Sequence, residues 1–407
     1  MLMEKSLIDQ KYKKERVTIT NIFLIFLKLG CISFGGPIAH LGYFRDEFVG
    51  RLKWLSDHAY ADLVALCQFL PGPASSQVGI ALGLSKGGVR GAIAAWFGFT
   101  LPSALLMVIF GLALIKMGIH DNPPWIHGLK VVAVAVVAQA LWGMSVSLCS
   151  DKTRASLAVL ACIGSSIIPY ASGQIAMIVL GGLFGLFFLS PEQSLPSSEL
   201  TVKLSRRTGI IVLLTFFILL TLLPLLSFYI ANYPMQLFES FYRAGSLVFG
   251  GGHVVLPLLQ AKVVPNGWVD NSLFLAGYGA AQALPGPLFT FAAFLGAVST
   301  STPNGWLGAT IALGAIFLPS FLLIIGALPL WENLRQHPSM QKAILGINPS
   351  VVGLLLTAFY QPVWTSAIFS LNDYLLAMTA FLLLQFWRVP AWIVVLFCAI
   401  SAGLGWH

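Results

Sequence analysis

The chain has 407 residues, of which 57% are apolar and only 9% are Asp, Glu, Lys or Arg. A soluble domain carries about 25% charged residues, so the polar surface that water demands cannot be built here. A cytosolic enzyme, a nucleic-acid-binding protein and a disordered chain are excluded. The net charge of +8 bears on orientation in a bilayer, because Lys and Arg gather on the cytoplasmic side of membrane proteins.

Met1 to Arg16 is polar and basic, with no small-residue cleavage pattern after it, and the first apolar segment follows at 18–38. Lys28 lies near its middle, Phe34-Gly35-Gly36 near its end and His40 just beyond. A charge inside a spanning segment costs about 3 kcal/mol or more, so Lys28 is a functional candidate. A loop holding Asp46 and Glu47 leads to the segment at 59–84, where Asp62 precedes Pro71-Gly72-Pro73 and Ser75, Ser76 and Gln77 follow. Proline lacks the N–H and fixes φ, while glycine permits the turn. The motif therefore ends one half-helix and starts another, whose free N–H groups suit an anion.

Apolar segments at 91–117, 128–148, 156–170 and 174–190 come next, then a polar linker from Pro191 to Arg207. Beyond it lie segments at 209–230, 236–259, 272–298, 306–330, 343–364, 373–387 and 391–405. The segment at 236–259 carries Arg243, with Glu239 four residues earlier, and Phe249-Gly250-Gly251 followed by His253. The one at 272–298 holds Pro285-Gly286-Pro287 and Thr290. The five cysteines show no metal or redox spacing and read as packed thiols, so neither cofactor nor metal is expected.

The halves repeat. Phe34-Gly35-Gly36 returns as Phe249-Gly250-Gly251, Gln68–Pro73 as Gln282–Pro287, Trp54 as Trp268, Pro102 as Pro319 and the cation Lys28 as Arg243, all at nearly one offset. The expected fold is an all-α polytopic membrane protein of about 13 transmembrane segments, in two inverted repeats with Pro-Gly-Pro-broken helices. The expected units are 1–190, a cytoplasmic linker at 191–207, and 208–407 with 209–230 as the extra, inverting helix. With each broken segment crossing once and the N-terminus cytoplasmic, 16 Lys and Arg fall inside and five outside. Treating only the Pro-Gly-Pro segments as hairpins gives roughly 10 to 11, so the positive-inside rule favours crossing.

The stretches FLKLGCISFGGPIAHLGYFRDEFV (26–49), WLSDHAYADLVALCQFLPGPASSQ (54–77), FYRAGSLVFGGGHVVLPLL (241–259) and AAQALPGP (280–287) resemble the bacterial chromate ion transporter family in its long, duplicated form. Gly252 stands where the first half has Pro37, and the second half lacks Pro-x-Ala-His, so the halves are expected to be unequal. The resemblance implies chromate export across the inner membrane, energised by the proton motive force, with sulfate as a related oxyanion. The lipid bilayer is an expected partner, a homodimer a candidate assembly, and nucleic acid is not expected. The expected substrate site gathers Lys28, Arg243, Gly35, Gly36, Pro71, Gly72, Pro73, Ser75, Ser76, Gln77, Gly250, Gly251, Pro285, Gly286 and Pro287. Asp62, His40 and Glu47 are the candidate proton carriers. No catalytic constellation or ATPase motif appears, so the chain reads as a transporter rather than an enzyme.

Overall fold

The computed structural model describes residues 17–34, 36–117, 124–168, 171–190, 204–249, 252–331 and 337–405, whose regular elements are all helices, with no strand among them. The helices are α1 (Ile19–Ile32), α2 (Gly36–Arg45), α3 (Asp57–Phe69), α4 (Ala74–Lys116), α5 (Pro124–Leu148), α6 (Lys152–Ile167), α7 (Ala171–Phe188) and α8 (Arg206–Ile230). Then come α9 (Tyr233–Ser246), α10 (Val255–Val263), α11 (Asn271–Ala283), α12 (Phe291–Val298), α13 (Gly305–Ala327), α14 (Pro338–Ala358), α15 (Leu371–Gln385) and α16 (Ala391–Gly403). Polar side chains start many of them. Thr18, Ser56, Asp151, Ser205, Asn232, Asp270 and Ser370 each accept a backbone N–H in the following first turn, which relieves donors that a helix cannot satisfy itself.

Five stretches are long and apolar enough to cross a membrane: Ala74–Lys116, Pro124–Leu148, Arg206–Ile230, Gly305–Leu330 and Pro338–Gln361. The remaining apolar helices are shorter. At 14 residues, α1 is about 21 Å long, less than a hydrocarbon core of about 30 Å.

The helices flanking each break do not run on across the molecule; they fold back. Phe44 and Phe48 of the α2 arm meet Phe26 in the middle of α1, with ring centroids 5.6 and 5.0 Å away. Further along, Lys86 Nζ donates to the Trp54 carbonyl at 3.0 Å. Lys86 adjoins the turn of α4 at Gly88, whose backbone (φ 61°, ψ −155°) reverses that helix. The limbs on either side of the turn pack back to back, so closely that a Cβ on Gly83 would stand 2.3 Å from the Gly91 carbonyl oxygen. A Cβ on Gly87 would touch Ile19 at the start of α1. The start of α1, the α2–α3 connection and the α4 turn thus share one end. The breaks at 33–36 and 71–73 are the tips of two helical hairpins.

The second half does the same from the opposite end. Tyr233, at the start of α9, packs on Trp268 at 5.1 Å, and Thr300 donates its N–H to the Trp268 carbonyl at 2.9 Å. Phe274 and Tyr278 of α11 face Phe291 of α12, so this pair also turns back, at Pro-Gly-Pro. Phe110, near the far end of α4, stacks on Phe294 of α12 at 5.9 Å, which sets this group at the end remote from Lys86. The expectation that each Pro-Gly-Pro segment crosses once is therefore corrected. A Pro-Gly-Pro turn leaves the exit direction open, and protein rather than lipid surrounds these tips, which is the setting in which irregular backbone is tolerated at membrane depth.

The outer helices are exchanged between halves. α5 packs on α15 and α16, while α14 packs on α6 and α7. Gln139 Nε2 of α5 donates to the Leu384 carbonyl at 3.0 Å, and Ser165 of α6 shares a 2.7 Å hydrogen bond with Thr357 of α14.

Candidate functional site

The hairpin tips meet at the centre and are tied to one another crosswise. Gly72 donates its N–H to the Val248 carbonyl at 2.7 Å, and Gly286 donates to the Ser33 carbonyl at 2.9 Å. Val248 and Ser33 are equivalent residues, each just before its Phe-Gly-Gly, so the Pro-Gly-Pro tip of each half bonds the other break of its counterpart. Both glycines have positive φ, +125° and +99°, a region closed to residues with a Cβ. Gly72 also lies under two polar groups: a Cβ there would be 2.5 Å from Gln77 Nε2 and 3.0 Å from Ser320 Oγ. At Gly286 the neighbour would be Ser103 Oγ, at 2.8 Å.

Gln77 Nε2 reaches back to the Pro71 carbonyl at 2.7 Å and holds the first tip closed. α4 begins at Ala74 with no side-chain cap, so the positive end of its dipole faces the tip. Ser75 Oγ lies 3.3 Å from His40 Nδ1, and the His40 ring also packs edge-on against Phe99. At the second tip Thr290 Oγ1 donates to the Pro287 carbonyl at 2.9 Å. Around these backbones Ser33 Oγ, Ser76 Oγ, Gln77 Oε1, Thr100 Oγ1 and Ser320 Oγ are buried with no hydrogen-bond partner among the described residues.

Of the residues expected at the site, Gly36, Pro71, Gly72, Pro73, Ser75, Ser76, Gln77, Pro285, Gly286 and Pro287 belong to this centre or its tips. Gly35, Gly250 and Gly251 lie outside the described residues. The two cations lie in different surroundings. Lys28 is exposed, on the face of α1 that also carries Leu24 and Ile32 and opposite buried Ile22, Phe26 and Leu29. Arg243 pairs with Glu239 and lines a separate cavity with Ser240, Leu247, Leu258 and Lys262. Equivalent positions in the repeats thus have unlike neighbours, since Leu24 stands where Glu239 does. Asp62 is buried in α3. Glu47, in the turn after α2, accepts hydrogen bonds from the Arg51 guanidinium.

A profile of the chromate transporter family matches residues 20–186 and 235–405. The chain belongs to the chromate transporter family. It is similar to an uncharacterized transporter of Methanocaldococcus jannaschii, with 26% identity over 351 residues, covering 86% of this chain and 85% of that one. It is also similar to the chromate transport protein of Cupriavidus metallidurans, with 25% identity over 388 residues and coverage of 93% and 91%. A shorter uncharacterized transporter of Bacillus subtilis, YwrA, is 33% identical over 157 residues, 36% of this chain and 86% of its own. No solved structure matches. The matched stretches each contain one Phe-Gly-Gly and one Pro-Gly-Pro, and the described part of α8 falls between them.

Sequence reasoning missed two features of this family member's interior. The Leu-Pro-Ser of 101–103 recurs as 318–320, and its serines, rather than its prolines, abut the tip glycines. The repeat signal that paired Pro102 with Pro319 could have found them. Lys130, one of the five basic residues counted outside by sequence, at the start of the apolar segment 128–148, lies inside α5 and is the one buried Lys or Arg among the described residues, 5% exposed. A run of apolar neighbours on all sides gave no sign of which face it takes.

Proposed function

We propose that this chain is a secondary active transporter that moves chromate across the bacterial inner membrane, outward and driven by the proton motive force. The observation that carries the reading is the crosswise bonding of the hairpin tips. A site built where two halves meet can be exposed to either side by rocking one half against the other.

In this reading the halves, 1–190 and 208–407, are inverted repeats joined by the linker at 191–207, with α8 as the inverting helix. Their hairpins enter from opposite faces, and α4 beyond Gly88, α5, α13, α14 and the shorter outer helices cross. The basic residues support this arrangement. Eighteen of the 23 Lys and Arg then fall on the side of the N-terminus, and Lys116, Lys130 and Lys262 on the other, with Lys28 and Arg243 in between. That is a steeper bias than the broken-span count, and by the positive-inside rule it makes the N-terminal side cytoplasmic.

The anion sits beside Pro71–Pro73 and Pro285–Pro287, near Ser75, Ser76 and Gln77, while Lys28 and Arg243 act on the rate of its arrival rather than on its affinity. His40, which touches Ser75 at the start of α4, is the best placed of the three proton carriers; Asp62 and Glu47 lie farther along the hairpin arms. Chromate uptake into proteoliposomes after an imposed pH jump tests substrate and coupling together. Concentrative, pH-driven uptake is expected. Flux that only equilibrates across the bilayer would make the protein a channel, and preferential uptake of sulfate in competition would change the substrate.

A further inference from the structure

Buried serine and threonine hydroxyls in helices usually return their proton to a carbonyl one turn back. Ser246, Ser350, Thr290 and Ser103 do so here, Ser103 to the Thr100 carbonyl at 3.2 Å. Four other hydroxyls of the centre depart from that habit. Ser33 Oγ, Ser76 Oγ, Thr100 Oγ1 and Ser320 Oγ have no partner among the described residues, although none of the four residues is more than 2% exposed. An unmet hydroxyl in such a place costs about 1–3 kcal/mol, and four around one uncapped helix start call for a ligand that uses them. No Lys or Arg is buried beside them, since Lys28 is exposed and Arg243 is engaged with Glu239.

We infer that the tetrahedral dianion is held by neutral donors, and that Ser320, whose hydroxyl is unmet, and Ser103, which turns its proton from the Thr100 carbonyl to the ligand, are its specificity-determining residues, one from each half. This deepens the transport reading above and rests on it. Ser320 Oγ points at Gly72 and Ser103 Oγ at Gly286, the two positions where a missing Cβ leaves the backbone open to approach. Ser33, Ser76 and Thr100, also unmet, and the first N–H groups of α4 are the further donors. Neutral dipoles suit a carrier. They replace the hydration of a dianion without a fixed countercharge that would hold it too tightly to release. A fully deprotonated ion such as chromate or sulfate finds only donors on these hydroxyls, whereas a flat anion such as nitrate leaves some of them unmet.

The test is equilibrium binding of radiolabelled chromate and sulfate to the purified full chain, at low and high salt. Ser103→Ala and Ser320→Ala should each raise Kd about tenfold, ~1.4 kcal/mol, while Thr310→Ala, an exposed hydroxyl on α13, should leave it within twofold. Wild-type Kd should change less than threefold with ionic strength, since buried donors are little screened. As a check independent of folding losses, maleimide labelling of Ser320→Cys should be slowed by sulfate. Unchanged Kd in both alanine variants, or a steep fall of wild-type affinity with salt, would overturn the inference while leaving transport intact. Serine-dependent binding without flux would instead overturn the transport reading and uphold the site.

Discussion

Replacing Gly72 by alanine tests the geometry of the central tips most directly. Two costs are separable. The backbone at φ +125° lies where only glycine is at ease, which costs about 1–3 kcal/mol for any other residue. The new methyl would also stand 2.5 Å from Gln77 Nε2, so the amide must leave the Pro71 carbonyl it now holds. Stranding those buried groups costs about 1–3 kcal/mol more. Gly88→Ala supplies the control. Its φ of +61° imposes a similar backbone penalty, yet nothing lies within 4 Å of the added Cβ. Thermal unfolding of the purified variants and initial chromate flux in proteoliposomes should therefore separate them. Gly88→Ala should lose modest stability and keep flux, whereas Gly72→Ala should lose roughly twice as much and most of its flux. Equal effects on both readouts would show that the crowding at the first tip does not matter and would refute the reasoning.

Two further outcomes are expected. Lys130→Met should keep or raise thermal stability, because an apolar side chain of similar length replaces a buried cation whose acting carboxylate, Asp270, is exposed and stays hydrated without it; a clear loss of thermal stability would show that the Lys130 charge is compensated inside the fold. The Arg51 hydrogen bond holds the Glu47 carboxyl below the 4.5 of an ordinary glutamate. A depressed carboxyl contributes stability that is fully present above its unfolded value and is lost as pH falls through the folded one. The thermal stability gap between wild type and Arg51→Ala should thus hold from neutral pH to about 4.5 and close below it, and a gap that persists in acid would show that Arg51 acts by packing.

The sequence by itself determined the solvent, the positions of the breaks and the duplication. Charge scarcity is compositional, Pro-Gly-Pro acts on the local backbone, and a constant offset needs no structure to be seen. The helix ends at the breaks were legible for the same reason, since Pro71 and Pro285 act within a turn. Tertiary structure alone decided which way the chain leaves each break. A proline–glycine turn admits both continuation and reversal, and the choice rests on partners such as the Val248 and Ser33 carbonyls, more than 150 residues away from the glycines that they bind. It also decided which side chains face inward. In an apolar segment, lipid-facing and protein-facing residues look alike, so helical phase cannot be read from hydrophobicity. Lys28 accordingly turned outward, and Lys130 turned in. The repeated Leu-Pro-Ser was there to be read in the sequence, but that its serines stand beside the tip glycines was decided by the packing of distant helices.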